Sequence, residues 1–591
     1  MNAGPLDILK KYWHYDAFRP MQEEIIRSVL DDADTLALLP TGGGKSLCFQ
    51  VPALARPGLC LVVSPLIALM KDQVDHLRRR NITAYALTSG MSRKEVINVL
   101  GVAGESNCKF LYVSPERLET ALFLEYLPSL PVSLIAVDEA HCVSQWGYDF
   151  RPPYLRIAAL RKELPGVPLL ALTATATPEV LADIGVRLEM DNPAIFRRPF
   201  TRPNLSYSVL NVPDKLLKMV EILQRVPGSS IVYCRSRRAA GEISTLLGRQ
   251  GIPAAAYHAG LSPEERSLRQ EAWLKDRMRV MVCTNAFGMG IDKAAVRTVI
   301  HADAPESLEH YYQEAGRAGR DGNKSYAVLL CTGKESAQLA GMADTRFPAM
   351  ETIRPAYQAL MNYLQLPAGS GEGNYYDFDL GRFVDTFRGE GGADGGSSSE
   401  GAKGARFDVQ TVLHSIKALE QEGLLILQQQ VFLPARVRFV AGKQALYDFE
   451  RGHPQLEPMI HGLLRNYEGI FDQPVPIREK NLAYILRKDQ KEIVGQLLQL
   501  QAFHIIEYSP QKDEPQLYFL RNRVRAEELY IDPVRYRLRK EQYAARIQTM
   551  IRYLDMAEGC RSRFLANYFG DMEAGDCGIC DHCLQRRGIR R

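Results

Sequence analysis

Short apolar runs alternate with helical segments over the first 345 residues of the chain. Each run is rich in Leu, Ile, Val or Ala and is bounded by turn or helix-start residues. Such runs predict strands that are buried on both faces, as in a parallel sheet covered by helices. The nine runs are residues 36–39, 59–63, 109–113, 134–137, 169–172, 231–233, 280–283, 299–300 and 327–331.

Nine strands exceed one ordinary open sheet. A break in the pattern at Arg202, Pro203 and Asn204 divides the runs into two groups. The alternation of strand and helix within each group is typical of an α/β architecture. The pattern therefore predicts two parallel-sheet lobes, residues 1–204 and residues 205–345.

The pattern changes beyond residue 345. Residues 389–404 are rich in Gly and Ser and predict a linker. Residues 346–445, which include this linker, and residues 446–535 each show helical spacing followed by two strand-like runs. That order predicts two winged-helix-like α+β domains. Domains of this kind either bind DNA or serve only for packing, and the residues leave both interpretations open.

The first of these domains has one amphipathic helix whose end is marked by Gly423, since Gly adopts the left-handed conformation that ends helices. The runs at 424–427 and 431–440 then predict a two-stranded wing. The apolar positions with helical spacing are Val409, Val412, Leu413, Ile416 and Leu419.

The second domain repeats this order of elements. Helical patterns lie near residues 482–486 and 493–500, and strand-like runs follow at 503–508 and 517–520. Pairing of these two runs with each other would form a second wing.

Composition and charge narrow the class of protein. Hydrophobic residues make up 46% of the chain and charged residues 24%, as in soluble globular proteins. No apolar run reaches the ~18 residues of a membrane span, and Asp7 and Asp16 lie where a secretory signal would need an apolar stretch. We therefore expect a cytoplasmic protein without a membrane partner.

The net charge of +4 does not by itself require a nucleic-acid partner. Basic clusters are the more informative feature, although each is either a solvated face or a contact to nucleic acid. The clusters lie at residues 78–80, 197–202, 235–238 and 521–546.

The eleven cysteines fall into two groups. Seven are scattered through apolar surroundings and predict buried, reduced thiols. The other four lie within the last 32 residues, with 16, two and two residues between them. This spacing matches a closed, structural Zn²⁺ site; disulfides are disfavoured in a cytosolic chain, and His582 is the alternative ligand. The four are Cys560, Cys577, Cys580 and Cys583.

A glycine-rich loop follows the strand at 36–39 and precedes a predicted helix. Its backbone N–H groups and the helix N-terminus favour phosphate, so the loop predicts an ATP site. Lys45 would reach the β- and γ-phosphates and Ser46 would hold Mg²⁺. The usual pattern begins with Gly, whereas this chain has Leu39 there. The predicted nucleotide-binding residues of the loop are Thr41, Gly42, Gly43, Gly44, Lys45 and Ser46.

Two carboxylates follow the strand at 134–137 directly. Asp138 can hold Mg²⁺, and Glu139 can orient or deprotonate the attacking water. A third component, residues 313–322, places Arg317 and Arg320 three residues apart, which predicts one helical face. An arginine across a cleft from the γ-phosphate stabilises charge during phosphoryl transfer. Either arginine alone is equally typical of a surface ion pair.

These motifs resemble those of superfamily 2 helicases. PTGGGKS, DEAH, TATAT and QEAGRAGRDG occur in the order found in that group. Residues 15–22 resemble motif 0 of the RecQ family in particular. The resemblance implies that Tyr15 stacks on adenine, with Arg19 and Gln22 as its polar partners.

Residues 142–152, directly after DEAH, resemble the aromatic-rich loop that couples single-stranded DNA binding to hydrolysis in RecQ proteins. Aromatic rings offer faces to bases, and an arginine offers a cation to phosphate. The DNA-binding residues implied are Gln145, Trp146, Tyr148, Phe150 and Arg151.

The four-cysteine segment, residues 536–591, resembles the RecQ zinc module, and residues 232–236 and 284–293 resemble motifs IV and V. The resemblance implies two RecA-like lobes and ATP-dependent 3′→5′ unwinding of single-stranded and forked or partly duplex DNA in recombination and repair. It also implies a nucleoid location on DNA and a single-stranded-DNA-binding protein as partner. The alternatives are a translocase that remodels DNA without unwinding it, an RNA helicase, and a zinc-stabilised DNA-binding adaptor with a relic ATP site.

The order of domains departs from the family pattern. Residues 323–559 separate the arginine motif from the first zinc cysteine, whereas better-known members have the zinc module directly after the second lobe. Eight residues follow Cys583, so we expect no helical HRDC domain there. We also expect the winged-helix role to precede the zinc module.

Overall fold

The computed structural model describes most of the chain and divides it into two compact units, residues 1–353 with 530–591, and residues 354–529. Within the described part, no helix has both the length and the apolar content needed to cross a bilayer. The predicted linker at 389–404 lies outside the described residues. Described are residues 4–40, 42–65, 67–88, 91, 93–105, 107–144, 146–147, 149–288, 293–387, 407–428, 435–472, 474–510 and 515–588.

The first lobe is built on a parallel sheet of seven strands in the order β3-β4-β2-β5-β6-β1-β7. The central strands are buried on both faces, because helices cover the sheet on each side. The strands are β1 Thr35–Leu38, β2 Leu59–Val63, β3 Ala84–Leu87, β4 Phe110–Val113, β5 Val132–Val137, β6 Leu169–Thr173 and β7 Ala194–Arg197. The helices are α1 Pro5–Trp13, α2 Gln22–Leu30, α3 Lys45–Ala55, α4 Ile67–Arg78, α5 Arg93–Glu105, α6 Ala121–Tyr126, α7 Ile157–Glu163 and α8 Pro178–Arg187.

The second lobe has a parallel sheet of six strands in the order β10-β11-β9-β12-β13-β8. The change of sheet falls between Arg197 and Leu205. The strands are β8 Leu205–Asn211, β9 Ser229–Tyr233, β10 Ala254–Tyr257, β11 Val280–Cys283, β12 Val296–His301 and β13 Ser325–Cys331. The helices are α9 Lys215–Arg225, α10 Arg237–Arg249, α11 Pro263–Leu274, α12 Leu308–Ala315, α13 Glu335–Ala340 and α14 Met342–Arg346.

All nine predicted strands are present, and the four strands that the apolar runs did not predict are the four sheet edges: β3, β7, β8 and β10. An edge strand has one neighbour, and β7 alternates partly buried with exposed residues along its whole length. Such a strand lacks the continuous apolar run that marks a central one.

The other unit contains two small antiparallel sheets. The first has the order β14-β19-β15 and the second the order β17-β16-β18. The strands are β14 Tyr375–Asp377, β15 Leu425–Gln428, β16 Arg436–Phe439, β17 Val475–Pro476, β18 Ile506–Ser509 and β19 Gln516–Phe519. The helices are α15 Met350–Tyr363, which begins in the first unit, α16 Leu380–Thr386, α17 Val409–Gln421, α18 Lys443–Gly452, α19 Glu457–Asn466, α20 Glu479–Leu486 and α21 Gln490–Ala502.

The two winged-helix domains are nested. β15 pairs with β19, and the whole second domain from β16 to β18 lies between those two strands in the chain. The second domain also begins with its central strand, because β16 pairs with both β17 and β18. The insertion therefore occupies the connection that would otherwise be the wing of the first domain.

Both predicted wings are wrong in their pairing. The run at 424–427 pairs with the run at 517–520, and the run at 431–440 pairs with the run at 503–508. Residues 431–434 lie outside the described part of the chain. Local patterns located the strands, but pairing is set by contacts distant in sequence. The predicted helices and the left-handed Gly423, at φ 68°, are confirmed.

The chain returns to the first unit through three helices: α22 Pro533–Leu554, α23 Arg561–Tyr568 and α24 Asp581–Arg586. Asp532 caps the long α22 by accepting hydrogen bonds from the backbone of Val534 and Arg535. The buried face of α22, including Tyr543 and Tyr553, joins the same apolar core as the two lobes.

Candidate active site and zinc centre

The phosphate loop connects β1 to α3, as the sequence predicts. Gly42 and Gly44 have φ values of 82° and 79°, which side chains rarely tolerate. A side chain on Gly43 would press on the Pro40 carbonyl, 2.9 Å away. These glycines therefore leave backbone N–H groups open at the start of α3, where a helix favours anions. Thr41 lies outside the described residues.

The predicted motif 0 residues contact the phosphate loop itself. Gln22 is buried, and its amide donates to the carbonyl oxygens of Gly43 and Gly44 at 3.3 and 3.0 Å. Its oxygen accepts from the Arg19 backbone at 2.9 Å, and the Arg19 guanidinium donates to the Gly42 carbonyl. In this structure the Gln22 amide therefore braces the loop. The Tyr15 ring is about half exposed.

The two predicted carboxylates lie where β5 ends. Glu139 Oε1 lies 3.8 Å from Lys45 Nζ, and Glu139 Oε2 lies 3.4 Å from His141 Nδ1. His141 Nδ1 is also 3.0 Å from Thr173 Oγ1 at the end of β6. Burial lowers the pKa of His141, so the imidazole is neutral. This network joins the loops after two neighbouring strands.

The buried Asp138 carboxylate accepts a hydrogen bond from the Glu139 backbone at 3.0 Å and is only partly compensated by Lys45. Burial, and then the neighbouring Glu139 carboxylate, raise the pKa of Asp138 to about 6. A divalent cation would stabilise that charge, and carboxylate and hydroxyl oxygens are the donors that Mg²⁺ prefers. Asp138 and Ser46 therefore fit the predicted Mg²⁺ site.

The aromatic-rich loop is only partly accessible. Trp146 is 45% exposed and offers a ring face, whereas Phe150 is 8% exposed. The Phe150 ring packs into the protein in this structure, and its stacking on a base stays a prediction. Arg151 bonds to Asp149 Oδ2 at 3.1 and 3.2 Å and to the Pro65 carbonyl at 3.3 Å. Gln145 and Tyr148 lie outside the described residues, as do residues 289–292 of the motif V resemblance.

The predicted helical face of Arg317 and Arg320 is wrong, because α12 ends at Ala315 and both arginines lie in the turns that follow. Gly319 adopts φ 64°, which continues the turn. The side chains of Arg317 and Arg320 therefore contact different parts of the protein. Arg320 Cγ lies 3.0 Å from the position that a Cβ on Gly42 would take, so Arg320 packs on the phosphate loop.

Arg317 instead stays within the second lobe. Its side chain is buried and interacts with the Tyr233 hydroxyl, at the end of β9. Its Nη2 lies 3.4 Å from the position that a Cβ on Gly288 would take, an ordinary contact distance, and the tighter approach there is the Asn285 carbonyl at 3.0 Å. Of the two predicted arginines, only Arg320 meets the first lobe's loop.

Sequence reasoning missed the residues that hold this turn. Arg202 donates to the carbonyl oxygens of Gly316, Ala318 and Gly319 at 3.0, 2.9 and 2.6 Å. Asn204 donates to the Gly319 carbonyl at 2.7 Å. The sequence showed both residues as a break between lobes and Arg202 also as part of a basic cluster, but nothing local to them indicates a partner more than 100 residues away.

The four predicted zinc ligands come together. The sulfurs of Cys560, Cys577, Cys580 and Cys583 lie within 4.8 Å of one another, and all eleven cysteines are unbridged. Backbone N–H groups of Cys577 and Cys580 donate to ligand sulfurs at 3.2 and 3.3 Å. Such donors favour thiolates, and four thiolates form a closed structural Zn²⁺ site.

His582 is not part of this cluster. Its Nδ1 lies 3.0 Å from the Gly559 carbonyl and its Nε2 lies 3.1 Å from Arg561 Nη2. Arg561 is buried, bonds to both Asp581 oxygens at 2.8 Å and lies over the Tyr553 ring. These contacts make His582 and Arg561 supports of the cluster rather than ligands.

Family models match four successive parts of the chain. "DEAD/DEAH box helicase" matches residues 19–184 and "Helicase conserved C-terminal domain" matches residues 212–322. "RecQ helicase winged-helix domain, Bacteroidota" matches residues 437–510, which are the inserted domain, and "RecQ zinc-binding" matches residues 521–584. These matches confirm the predicted fold class and the zinc-binding module.

Known proteins match about half of the chain. It is 44% identical over 329 residues to the ATP-dependent DNA helicase RecQ of Pasteurella multocida, covering 55% of this chain and 52% of that protein. It is 43% identical over 327 residues to the probable ATP-dependent DNA helicase RecS of Bacillus subtilis, covering 54% and 66%. The structure of Mycobacterium smegmatis helicase Lhr bound to ssDNA and AMP-PNP is 24% identical, with a TM-score of 0.46, over 65% of this chain and 55% of that one. The two sequence matches thus span from half to just under two thirds of the relatives' length.

Proposed function

The chain belongs to the RecQ family of helicases, and we propose from this that it is an ATP-dependent DNA helicase. Hydrolysis would drive 3′→5′ movement along single-stranded DNA and separate forked or partly duplex DNA in recombination and repair. One observation carries the proposal: Arg320 of the second lobe packs on Gly42 of the first lobe's phosphate loop. A nucleotide on that loop would meet a cation from the other lobe, so hydrolysis would change how the lobes are held together.

In the first lobe, Lys45 would neutralise the β- and γ-phosphates, and Ser46 and Asp138 would hold Mg²⁺. When bound, Mg²⁺ supplies charge neutralisation and orients the phosphate oxygens. Lys45 Nζ lies 3.8 Å from Glu139 Oε1. Phosphate would draw Lys45 away, which leaves the Glu139 carboxylate to orient the attacking water.

In the second lobe, Arg320 would stabilise the charge that develops on the γ-phosphate. Arg317, buried beside Tyr233, would support the turn rather than reach the phosphate. For DNA, the exposed ring of Trp146 would stack on a base, and Gln145, Tyr148 and Arg151 would be further contacts.

Location, partner and domain limits belong to the same proposal. A protein that acts on DNA would work in the cytoplasm and associate with the nucleoid. Unwinding releases single strands, which a single-stranded-DNA-binding protein would cover, so we propose such a protein as the partner. We propose domain limits at residues 204, 345 and 535. The two winged-helix domains do not divide at residue 445, because the second is inserted into the first.

A translocase that remodels DNA without unwinding it is the second candidate. The observation that favours it is the interrupted first wing, since β15 and β19 are separated by a whole inserted domain. A short hairpin at that position could enter the end of a duplex, whereas the described residues between the two strands form a domain whose strands are β16, β17 and β18.

The deciding experiment measures strand separation on matched forks with a 3′ or a 5′ single-stranded tail, with and without ATP. We expect separation that needs both ATP and the 3′ tail, with Lys45→Ala as the inactive control. Hydrolysis without separation would favour the translocase. Greater stimulation of hydrolysis by single-stranded RNA than by DNA would contradict the proposed substrate.

A further inference from the structure

We infer that the zinc module, residues 536–591, holds α12 in place and thereby positions the arginine turn of the ATP site. The inference rests on the proposed function, because it assigns to the module an effect on hydrolysis. The turn, residues 316–322, follows α12 directly, so any shift of α12 moves Arg320 relative to the phosphate loop. Side chains of residues 543–569, in the zinc module, contact α12 and the residues just before it.

Two tyrosine hydroxyls anchor the start of α12. Tyr543 on α22 donates to Glu306 Oε2 at 3.0 Å, and Tyr568 at the end of α23 donates to Glu309 Oε1 at 2.8 Å. Glu309 is buried. Burial and then the Glu309 charge raise the pKa of Tyr568, so its hydroxyl stays protonated as a donor. A buried carboxylate bonded in this way resists displacement, because losing the donor would leave its charge poorly solvated.

Rings from the module pack along the rest of the helix. Tyr553 contacts Tyr311 with ring centroids 5.3 Å apart, and Phe569 contacts Tyr312 at 5.1 Å. Tyr311 in turn packs on His301, whose Nε2 lies 2.8 Å from Glu314 Oε2 near the end of α12. The row of contacts therefore runs from the module to the last turn before Arg317.

The module also holds the other support of the turn. Phe569 stacks on Phe200 with centroids 4.5 Å apart and an interplanar angle of 11°. Phe200 lies two residues before Arg202, the residue that binds the turn's carbonyl groups. Phe569 thus packs between Tyr312 on α12 and the segment that carries Arg202. The turn is held on both sides by elements that contact one aromatic residue of the zinc module.

The zinc cluster fixes the segments of the module relative to one another. Arg561, next to Cys560, bonds to Asp581, next to Cys580, and to the Tyr553 carbonyl at 2.7 Å. Asp581 also accepts from the Val209 backbone in β8 at 2.9 Å. The ligand-bearing segments are therefore tied to the second lobe's sheet as well as to Tyr553. Tyr543, Tyr568 and Phe569 are positioning residues, since none of them reaches the nucleotide loop.

The test removes the two hydroxyls and keeps the rings, in a Tyr543→Phe and Tyr568→Phe double variant and in each single variant. A misplacement of about 1 Å at a reacting group costs up to roughly a hundredfold in rate. We expect DNA-stimulated kcat to fall by roughly tenfold in the double variant, with the KM for ATP and the zinc content unchanged. Tyr536→Phe is the matched control, because Tyr536 lies on the same α22 but donates to the Pro348 carbonyl.

A double-mutant cycle identifies the route of the effect. In an Arg320→Ala background, measured by single-turnover hydrolysis, removing the two hydroxyls should change the residual rate by less than about twofold, because the residue they position is gone. A full tenfold loss in that background would overturn the inference, as would wild-type kcat in the double variant. The single Tyr543→Phe variant, at the partly exposed Glu306, covers the case in which the double variant does not fold. If the wild-type chain hydrolyses no ATP, both this inference and the proposed function fail.

Discussion

The two sides of the proposed ATP cleft are built in different ways. On the first-lobe side, Lys45 lies in the loop and helix start after β1, which is buried along its whole length, and Asp138 and Glu139 directly follow the buried end of β5. On the second-lobe side, Arg320 lies in a turn beyond the end of α12, held by Arg202 and by the zinc module. The first side is a product of local chain order, and the second depends on segments more than 100 and more than 200 residues away. Damage to distant elements should therefore affect the arginine side and spare the phosphate loop.

The largest expected effect comes from Arg320→Ala. Arginines that contact the γ-phosphate contribute roughly 10³-fold or more to kcat, so we expect a loss of that size with nearly unchanged nucleotide affinity. Lys45→Ala should instead weaken nucleotide binding itself. Fluorescent-nucleotide titration and steady-state hydrolysis measure the two quantities. Equal effects of both variants on affinity would contradict the division into a binding side and a positioned side.

Zinc removal should affect only the second-lobe side of the proposed ATP cleft. Stripping the metal with a chelator removes the cross-link between Cys560 and the other three ligands, and structural zinc sites lose their fold without metal. We expect kcat to fall by roughly ten- to a hundredfold, because the contacts between the zinc module and α12 weaken. Nucleotide binding should persist. Metal analysis and nucleotide titration on the same sample provide the check. Loss of nucleotide binding in step with zinc would show that the first side is not self-contained.

Arg202→Lys tests at a single residue whether the arginine side of the cleft depends on Arg202. Lysine keeps the charge but loses the planar fork that reaches three carbonyl groups. We expect kcat to fall by roughly tenfold with an unchanged KM for ATP. Arg156→Lys is the control, because Arg156 pairs with Glu119 on the first lobe, away from the turn. A rise in KM for the Arg202 variant would mean that Arg202 supports binding rather than the arginine turn.

The smallest expected effect is on stability. Arg297 on β12 bonds to Asp321 at the end of the arginine turn, and this bond lowers the pKa of Asp321 to about 2. A depressed carboxyl pKa contributes stability above the unfolded value near 4, and that contribution is lost as the pH falls towards 2. Asp321→Asn should therefore cost about 1 kcal/mol at pH 7, after allowance for solvent screening.

Thermal unfolding at pH 7, 5 and 3 measures this effect. The difference in melting temperature between the wild type and Asp321→Asn should be constant between pH 7 and 5 and should narrow towards pH 3. A difference that widens as the pH falls would contradict the assignment of the ion pair. Asp379→Asn, which removes a more exposed ion pair in the other unit while its amide oxygen can still cap the helix, is the comparison variant.

Prediction from sequence succeeded where a few consecutive residues carry the information. The central strands and the phosphate loop were predicted because burial on both faces requires a continuous apolar run, and phosphate binding requires glycines in one short loop. The edge strands β3 and β7 were missed because one side of each meets solvent or a helix and the pattern is mixed. The wings were wrongly paired because each strand run was assigned to its neighbour in sequence.

The site shows the same division. Asp138 and Glu139 lie at the end of β5, and the four zinc cysteines form a separate cluster, as their spacing predicts. Arg317 and Arg320 were assigned to one helical face, yet the glycines between and around them end α12 and send the two side chains to different partners. Phe150 was grouped with Trp146 as a stacking ring, and only tertiary packing separates the buried ring from the exposed one.

The sequence by itself determined the two lobes, the glycine-rich loop after β1, the carboxylate pair after β5, the four clustered cysteines and the family that the motifs resemble. Only the tertiary structure decided the nesting of one winged-helix domain within the other, the brace formed by Gln22 on the phosphate loop, and the contacts that hold Arg320. The physical reason is the range of the interactions. Burial periodicity, turn chemistry and ligand spacing act over a few residues, whereas strand pairing and side-chain hydrogen bonds join residues that the chain brings together only when it has folded.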